Sequence, residues 1–324
     1  MAKSKKSGKK PKTAQSEKAE KLNGKAEKND DKKTVKTEVV EKTEKVEKKE
    51  TVKDEKVKDE PKKAVSSEKK NGFFKRFFAK KYTEDENILT IFKNKKVYGA
   101  LLGEIFGTMF IMAVILTLGL YQLLYLFLIL TVIYVVIHKL SGAQLNPIVT
   151  VGMMATRRMS AIRGVLYLLA QVVGAWLGTV IVNLFLSASG SENVLPSMTA
   201  TPEGMFWGVT MIEFFGAAVI GFFYARAQEF KRSAFTFGAA VAGGTVLALV
   251  LVYVISANFF SLDGTFMLNP ALALMYQILP QSANGVGELL AGIGLALLTY
   301  VIFPMVGGIV GFYLSDTAET LVEE

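Results

Sequence analysis

Charged residues are scarce after residue 100, and this scarcity limits what the chain can fold into. The last 224 residues hold 7 Lys or Arg and 11 Asp or Glu, whereas roughly one residue in four is charged in a soluble domain. The first 100 residues hold 31 basic and 18 acidic residues. The basic composition therefore belongs to the first part and does not indicate nucleic acid binding. The second part is not expected to be a water-soluble globule.

Long uncharged stretches in this second part predict transmembrane helices, which need about 20 mainly apolar residues each. The stretch from Tyr98 to His138 is long enough for two, with a turn expected at Thr117–Gln122. Four more spans are predicted at 164–187, 205–225, 234–257 and 289–315. Two further uncharged stretches, 140–156 and 264–277, are too short or too broken to cross, and each contains Asn-Pro.

The basic residues predict the orientation, because Lys and Arg collect on cytoplasmic loops. They occur in the N-terminal part and in the connections 139–163 and 226–232, and are absent from 188–204 and 258–288. We therefore expect a multi-pass protein of the plasma membrane, with both termini in the cytoplasm.

The composition also divides the chain into four regions. Residues 1–70 are rich in Lys and Glu and poor in apolar residues, which predicts a disordered cytoplasmic tail whose partner the sequence does not indicate. Residues 71–97 form a basic and aromatic juxtamembrane segment suited to an anionic lipid surface. Residues 98–315 hold the spans, and 316–324 form an acidic C-terminal tail.

An internal repeat runs through the membrane part. The first half contains GEIFGT, LNPIVTVGMM and VVGAWLG, and the second contains IEFFGA, LNPALALMYQ and MVGGIVG. Glu, Asn-Pro and Gly-x-x-x-Gly thus recur in the same order. Because three spans separate the copies, the halves must be inverted in the membrane. Inverted repeats with broken helices build solute paths near the midplane.

The two Asn-Pro pairs are expected to start helices inside the membrane. Asn suits the cap of a helix and Pro suits its first turn. Two short helices entering from opposite sides would bring their positive N-terminal ends together, which opposes cations, while the Asn amides could donate hydrogen bonds to a passing oxygen. The uncoiled segment Ser141 to Gln144 would present backbone carbonyls to the same path.

The SGAQLNP motif at Ser141–Pro147, the LNPA motif at Leu268–Ala271 and the repeat resemble the aquaporin and glycerol-facilitator family (major intrinsic proteins) over residues 98–315. The resemblance implies an all-α membrane protein with six transmembrane helices and two re-entrant half-helices in inverted repeats. It also implies a homotetramer with one pore per subunit, passing water or small neutral solutes. The glutamates that brace the half-helices in the family match Glu104 and Glu213. The pore motif comprises Asn146, Pro147, Ile148, Asn269, Pro270 and Ala271.

The sequence departs from the family at the selectivity filter. The family's filter arginine is replaced by Leu272, and the usual histidine of the first motif is Gln144. The other filter positions are matched by Leu126 (or Phe127), Ser256 and Phe266. A largely apolar constriction penalises water more than a solute with a carbon backbone. We therefore favour a facilitator for glycerol or similar small neutral solutes.

Three other functions stay open on the sequence alone. These are a water-selective pore, a channel that admits ions or weak acids because the filter arginine is missing, and a non-conducting membrane anchor with a partner-binding tail. An enzyme is not expected, since no span presents a base, a nucleophile and an orienting group together. No metal or cofactor is expected either, because the chain has no Cys and a single His, His138.

Overall fold

The computed structural model describes residues 88–118, 122–192, 205–260, 266–276 and 285–323, and within these ranges it is helical, with no strand. The predictions for 1–70 and for most of 71–97 fall outside these residues. The helices are α1 (Ile88–Ile91), α2 (Lys95–Leu118), α3 (Leu123–Ser141), α4 (Pro147–Ala155), α5 (Ala161–Ala188), α6 (Phe206–Ala227), α7 (Ala234–Ile255), α8 (Pro270–Tyr276), α9 (Val286–Leu297) and α10 (Phe303–Glu323).

Six of the described helices are long and apolar enough to cross a membrane. They are α2, α3, α5, α6, α7 and the continuous helix formed by α9 and α10, which a π-helical turn at Leu298–Ile302 joins. The sequence-based spans are thereby confirmed, with ends that differ by a few residues. The chain is an all-α membrane protein of six spans.

The long helices begin and end at caps that the sequence supplies. Ser160 Oγ accepts a hydrogen bond from Arg163 N (3.3 Å) at the start of α5, and Ser233 Oγ accepts one from Thr236 N (3.3 Å) at the start of α7. Gly142 ends α3 with a φ of 89°, a conformation that suits glycine. Basic residues lie at the ends of α3 and α6 and at or just before the starts of α5 and α7. We call this side of the bundle the basic end.

The Gly-x-x-x-Gly motifs bring equivalent helix pairs into contact in the two halves. A Cβ at Gly174 or Gly178 of α5 would lie less than 3.0 Å from the backbone oxygens of Ile105 and Met109 in α2. Small residues allow helix backbones to approach this closely. In the second half, α10 packs on α6 through Gly307 against the oxygen of Phe214 and Gly311 against that of Ala218.

The short helices α4 and α8 lie inside the bundle, with their N-termini together. They have 9 and 7 residues, so at 1.5 Å per residue each reaches roughly 10 to 14 Å. That is about half of the 30 Å hydrocarbon layer. Helix α4 returns to the basic end, where α3 ends, and the two short helices are the half-helices that the Asn-Pro pairs predict.

The last helix continues beyond residue 315, where the sequence analysis placed the start of an acidic tail. Helix α10 extends to Glu323, and Asp316 is only 8% exposed. Its carboxylate pairs with Arg158, which follows α4. Asp316, the first residue of the predicted tail, is therefore buried against the segment that follows α4.

Candidate functional site

Two asparagines begin the half-helices at the centre of the bundle. Asn146 Oδ1 accepts a hydrogen bond from Ile148 N (3.0 Å), and Asn269 Oδ1 accepts one from Ala271 N (3.1 Å). In both, Pro follows directly as the first helical residue, where its missing N–H costs nothing. Each side-chain oxygen is thereby fixed on its own helix, and each amide nitrogen is turned away from it.

The two amide nitrogens cross to the opposite loop. Asn146 Nδ2 donates to Leu268 O (2.8 Å), and Asn269 Nδ2 donates to Leu145 O (3.2 Å). An asparagine amide carries two N–H donors, so one donor of each side chain joins the halves and the second is not used in these bonds. Both side chains are 6% exposed, and each bonds the loop that precedes the other asparagine.

The residue before each asparagine has a strained backbone. Leu145 has a φ of 53° and Leu268 a φ of 48°, a left-handed conformation that costs a non-glycine residue about 1–2 kcal/mol. Both side chains are almost fully buried. They lie where Gly107 and Gly216 leave space, because a Cβ at either glycine would fall within 3.0 Å of the leucine. Packing and hydrogen bonds hold the strained turns in place.

Two buried glutamates accept the backbone N–H groups of these turns. Glu213 accepts from Met267 N (2.6 Å) and Leu268 N (3.2 Å). Both glutamates are fully buried, and a charge at that depth requires partners. Glu104 has four donors: Gln144 N (3.0 Å), Leu145 N (2.8 Å), Ser141 Oγ (2.5 Å) and Gln171 Nε2 (2.7 Å). The first half is therefore the more strongly braced.

The four residues of the predicted filter lie on different elements. Leu126 is on α3, Ser256 follows α7, Phe266 precedes the second Asn-Pro pair and Leu272 is on α8. They are between 0% and 3% exposed, and the three apolar ones belong to one buried apolar cluster. Ser256 Oγ has no hydrogen-bond partner among the described residues. Phe127, the alternative to Leu126, packs partly buried against the same cluster.

The side chains of the remaining motif residues are buried in the core. Ile148 and Ala271 are fully buried, and Ile148 fits against Gly308 of α10, where a Cβ would overlap it. Gln144 is 1% exposed, and its Nε2 lies 3.6 Å from Met159 Sδ. Among the described residues, no group of three or more His, Cys, Asp or Glu side chains could hold a metal ion.

Comparison with known proteins gives this arrangement a family. The family described as major intrinsic protein matches residues 91–314, which is more than half of the chain. The chain belongs to the major intrinsic protein family. Members of this family are passive membrane channels rather than enzymes.

Individual relatives match over shorter stretches. Sheep (Ovis aries) aquaporin-1 is 36% identical over 82 residues, which is 25% of this chain and 28% of the relative. The probable aquaporin PIP2-1 of rice (Oryza sativa subsp. japonica) is 32% identical over 100 residues, 29% of this chain and 33% of the relative. These matches span about a third or less of each relative's length. The aquaglyceroporin structure from Plasmodium falciparum is 18% identical, with a TM-score of 0.45, covering 68% of this chain and 94% of that one.

Sequence reasoning did not identify Gln171 as a partner of the buried Glu104. Gln171 on α5 is fully buried and bonds Glu104, and its Nε2 also lies 2.9 Å from Thr150 Oγ1 of α4. The sequence signal for Gln171 is an amide side chain within the uncharged span 164–187. Counting from the glycine motifs, the equivalent position in the second half is Pro304, which has no side-chain donor.

This asymmetry leads to a prediction. Glu104→Gln should lower the free energy of unfolding more than Glu213→Gln, because a glutamine retains only one acceptor oxygen and Glu104 serves four donors instead of two. Hydrogen bonds to a charged group contribute about 1.5–3 kcal/mol each, so we expect a difference of about 2 kcal/mol or more. Thermal unfolding of the purified variants in detergent measures it, and equal losses would contradict the prediction.

Proposed function

We propose that this channel conducts glycerol or similar small neutral solutes, together with water, through the site formed by Asn146 and Asn269. The observation that carries the proposal is the apolar composition of the predicted filter positions. Leu126, Phe266 and Leu272 pack in one buried apolar cluster. Water in an apolar constriction gives up hydrogen bonds without replacement, whereas a polyol places its carbon backbone against the leucine and phenylalanine side chains.

Ordered donors in the site support passage of a hydroxylated solute. The second N–H of each asparagine amide is available for a solute oxygen, and the N-termini of α4 and α8 point to the same place. Aligned peptide dipoles put partial positive charge at both N-termini. This arrangement favours oxygen acceptors and opposes cations, which supports a neutral solute.

A water-selective pore is the second candidate, favoured by the names of the relatives. The sheep and rice proteins are called aquaporins, although the matches span about a third or less of their length. Passage of ions or weak acids is a third candidate because position 272 is a leucine instead of an arginine. The three differ in what is excluded, so permeation measurements separate them.

The experiment compares water, glycerol and urea permeation in proteoliposomes that hold the full chain. We expect glycerol entry well above that of empty liposomes. Asn269→Ala should reduce it at least about tenfold, because the cap and the cross-loop bond are worth about 1 kcal/mol or more each. Asn258→Ala is the matched control, since Asn258 is exposed and, among the described residues, its amide bonds only the carbonyl of Val254, four residues earlier. Verified insertion without glycerol entry above the empty liposomes would contradict the proposal.

The orientation, assembly and regions of the chain belong to the same proposal. Because basic residues collect on cytoplasmic loops, we place the basic end and both termini in the cytoplasm and the protein in the plasma membrane. The channel region comprises residues 98–315, preceded by the tail 1–70 and the segment 71–97 and followed by 316–324. We propose a homotetramer, with one path in each subunit.

A further inference from the structure

The non-helical segment between α3 and α4 provides the backbone of the path at the basic end. Non-helical backbone at membrane depth must be hydrogen-bonded within the protein or face a water-filled path. Among the described residues, no hydrogen-bond donor reaches the carbonyls of Ala143 and Gln144. The next carbonyl toward the basic end, that of Gly142, accepts a hydrogen bond from the hydroxyl of Tyr224 (2.8 Å). Tyr224 thus occupies the carbonyl next to the two open ones, and the flanking carbonyls of Ser141 and Leu145 accept from Tyr167 and Asn269.

Tyr224 lies in a buried group of aromatic side chains, which we call the aromatic cluster: Tyr224, Phe237 and Phe312. The ring centroids of Tyr224 and Phe237 are 5.6 Å apart at 84°, and those of Tyr224 and Phe312 are 6.0 Å apart at 36°. The three side chains are at most 1% exposed. They come from α6, α7 and α10, and the hydroxyl of Tyr224 connects the cluster to the carbonyl of Gly142.

Both phenylalanines of the cluster also contact residues outside it. The guanidinium carbon of Arg158 lies 5.3 Å above the Phe312 ring, and Phe312 also fills the space beside Gly152 of α4. The His138 ring stacks 4.1 Å from Phe237, and its Nε2 lies 2.9 Å from Lys231 O, to which it donates. By contrast, the hydroxyl of Tyr224 is held by hydrogen bonds alone, to the carbonyl of Gly142 and with the side chain of Gln228, and a solute hydroxyl can take its place at the carbonyl.

We propose that Tyr224 forms a second, specificity-determining constriction, in which its hydroxyl occupies the Gly142 carbonyl until a solute hydroxyl takes its place. The proposal rests on the proposed function, because it assumes that the path carries hydroxylated solutes. A solute passing here needs a donor for the carbonyl and an apolar face for the aromatic cluster. Small polyols have both, and water has the donor only.

The first test removes the hydroxyl and retains the ring. Tyr224→Phe should raise water and glycerol permeability roughly three- to tenfold, the range expected when one neutral hydrogen bond no longer has to be exchanged. Tyr167→Phe is the matched control, because the buried Tyr167 donates to the carbonyl of the neighbouring Ser141 (3.1 Å) but packs against Ala100 and Met159, outside the aromatic cluster. Its permeability should stay close to that of the original protein.

The second test locates residue 224 without relying on flux. The chain contains no cysteine, so Tyr224→Cys introduces a single thiol, and Tyr167→Cys is its counterpart. We expect an uncharged, glycerol-sized methanethiosulfonate reagent to modify the thiol at 224 at least about tenfold faster, since thiol reactivity follows exposure. The adduct should reduce water permeability, and added glycerol should slow the modification.

The outcomes separate this inference from the proposed function. Exclusion of glycerol by the original protein would overturn the proposed function, whereas the inference is decided by water permeability and thiol modification. Unchanged water permeability of Tyr224→Phe, together with equal modification of the thiols at 224 and 167, would overturn the inference. Faster modification at 224 with a gain in water permeability supports it, whatever the result for glycerol.

Discussion

Replacing Leu272 by arginine should reduce glycerol permeability at least about tenfold and reduce water permeability much less. Leu272 is 1% exposed and shares an apolar cluster with Leu126 and Phe266, so the substitution replaces apolar surface in the narrowest predicted part of the path. Lost contact with the carbons of glycerol costs about 0.8 kcal/mol per CH₂. The five N–H donors of arginine offer water the hydrogen bonds that the leucine does not. Stopped-flow measurement of both solutes gives the ratio.

Leu272→Met is the matched control for this substitution. It changes the same side chain with nearly the same volume and no charge, and such changes in a core usually cost less than about 1.5 kcal/mol. Both permeabilities should therefore stay near those of the original protein. Two results would contradict the placement of Leu272 at the constriction: an inserted Leu272→Arg protein with an unchanged glycerol-to-water ratio, or a protein that no longer folds because the guanidinium has no path to face.

The fold was predictable because its signals are local. Scarcity of charge marks each span, and Asn-Pro inside an apolar stretch marks each half-helix. The three-part repeat requires inversion, because an odd number of spans separates the halves. The distances between Glu104, Leu145 and Asn269 follow from that inversion. These features depend on residues close in sequence, or on a symmetry that the sequence displays.

The contacts that the sequence did not reveal join residues far apart. Tyr224 lies on the same face of α6 as Glu213, at a spacing of 11 residues, which is close to three helical turns. The position of Glu213 in the sequence indicates that this face is buried. Phe237 and Phe312, however, reach Tyr224 from other helices, and only the packing of α7 and α10 places them there. Gln171 is likewise 67 residues from Glu104, with no motif that links them.

Asp316 also joins residues far apart in the sequence, and it leads to the largest expected effect on stability. An acidic residue after the last apolar stretch looks like part of a solvated tail. In the structure its side chain is 9% exposed and pairs with Arg158, whose side chain is 13% exposed. The pair connects the segment after α4 to α10, so it joins the first half-helix to the last span.

Asp316→Asn should lower the free energy of unfolding by about 3–5 kcal/mol, because removing one partner of a buried pair leaves the other charge uncompensated. Glu319→Gln is the matched control on the same helix. Glu319 lies 3.7 Å from Arg226, with side chains 45% and 33% exposed, and an exposed pair contributes about 0–1 kcal/mol. Thermal unfolding in detergent, with both variants at the same protein and detergent concentrations, measures the difference.

The double substitution Arg158→Leu with Asp316→Leu tests what the stability depends on. It separates the cost of an uncompensated charge from the loss of the contact between the segment after α4 and α10. Replacing a buried pair by apolar residues is often neutral or stabilising, so the double variant should recover most of the stability that Asp316→Asn loses. Arg158 also lies over the ring of Phe312 in the aromatic cluster. Removing the guanidinium can therefore change the position of that ring even when stability is recovered. If the guanidinium holds that ring at the basic end, the stable double variant should still show altered water permeability. Recovery of stability and permeability together would instead limit Arg158 to neutralising Asp316.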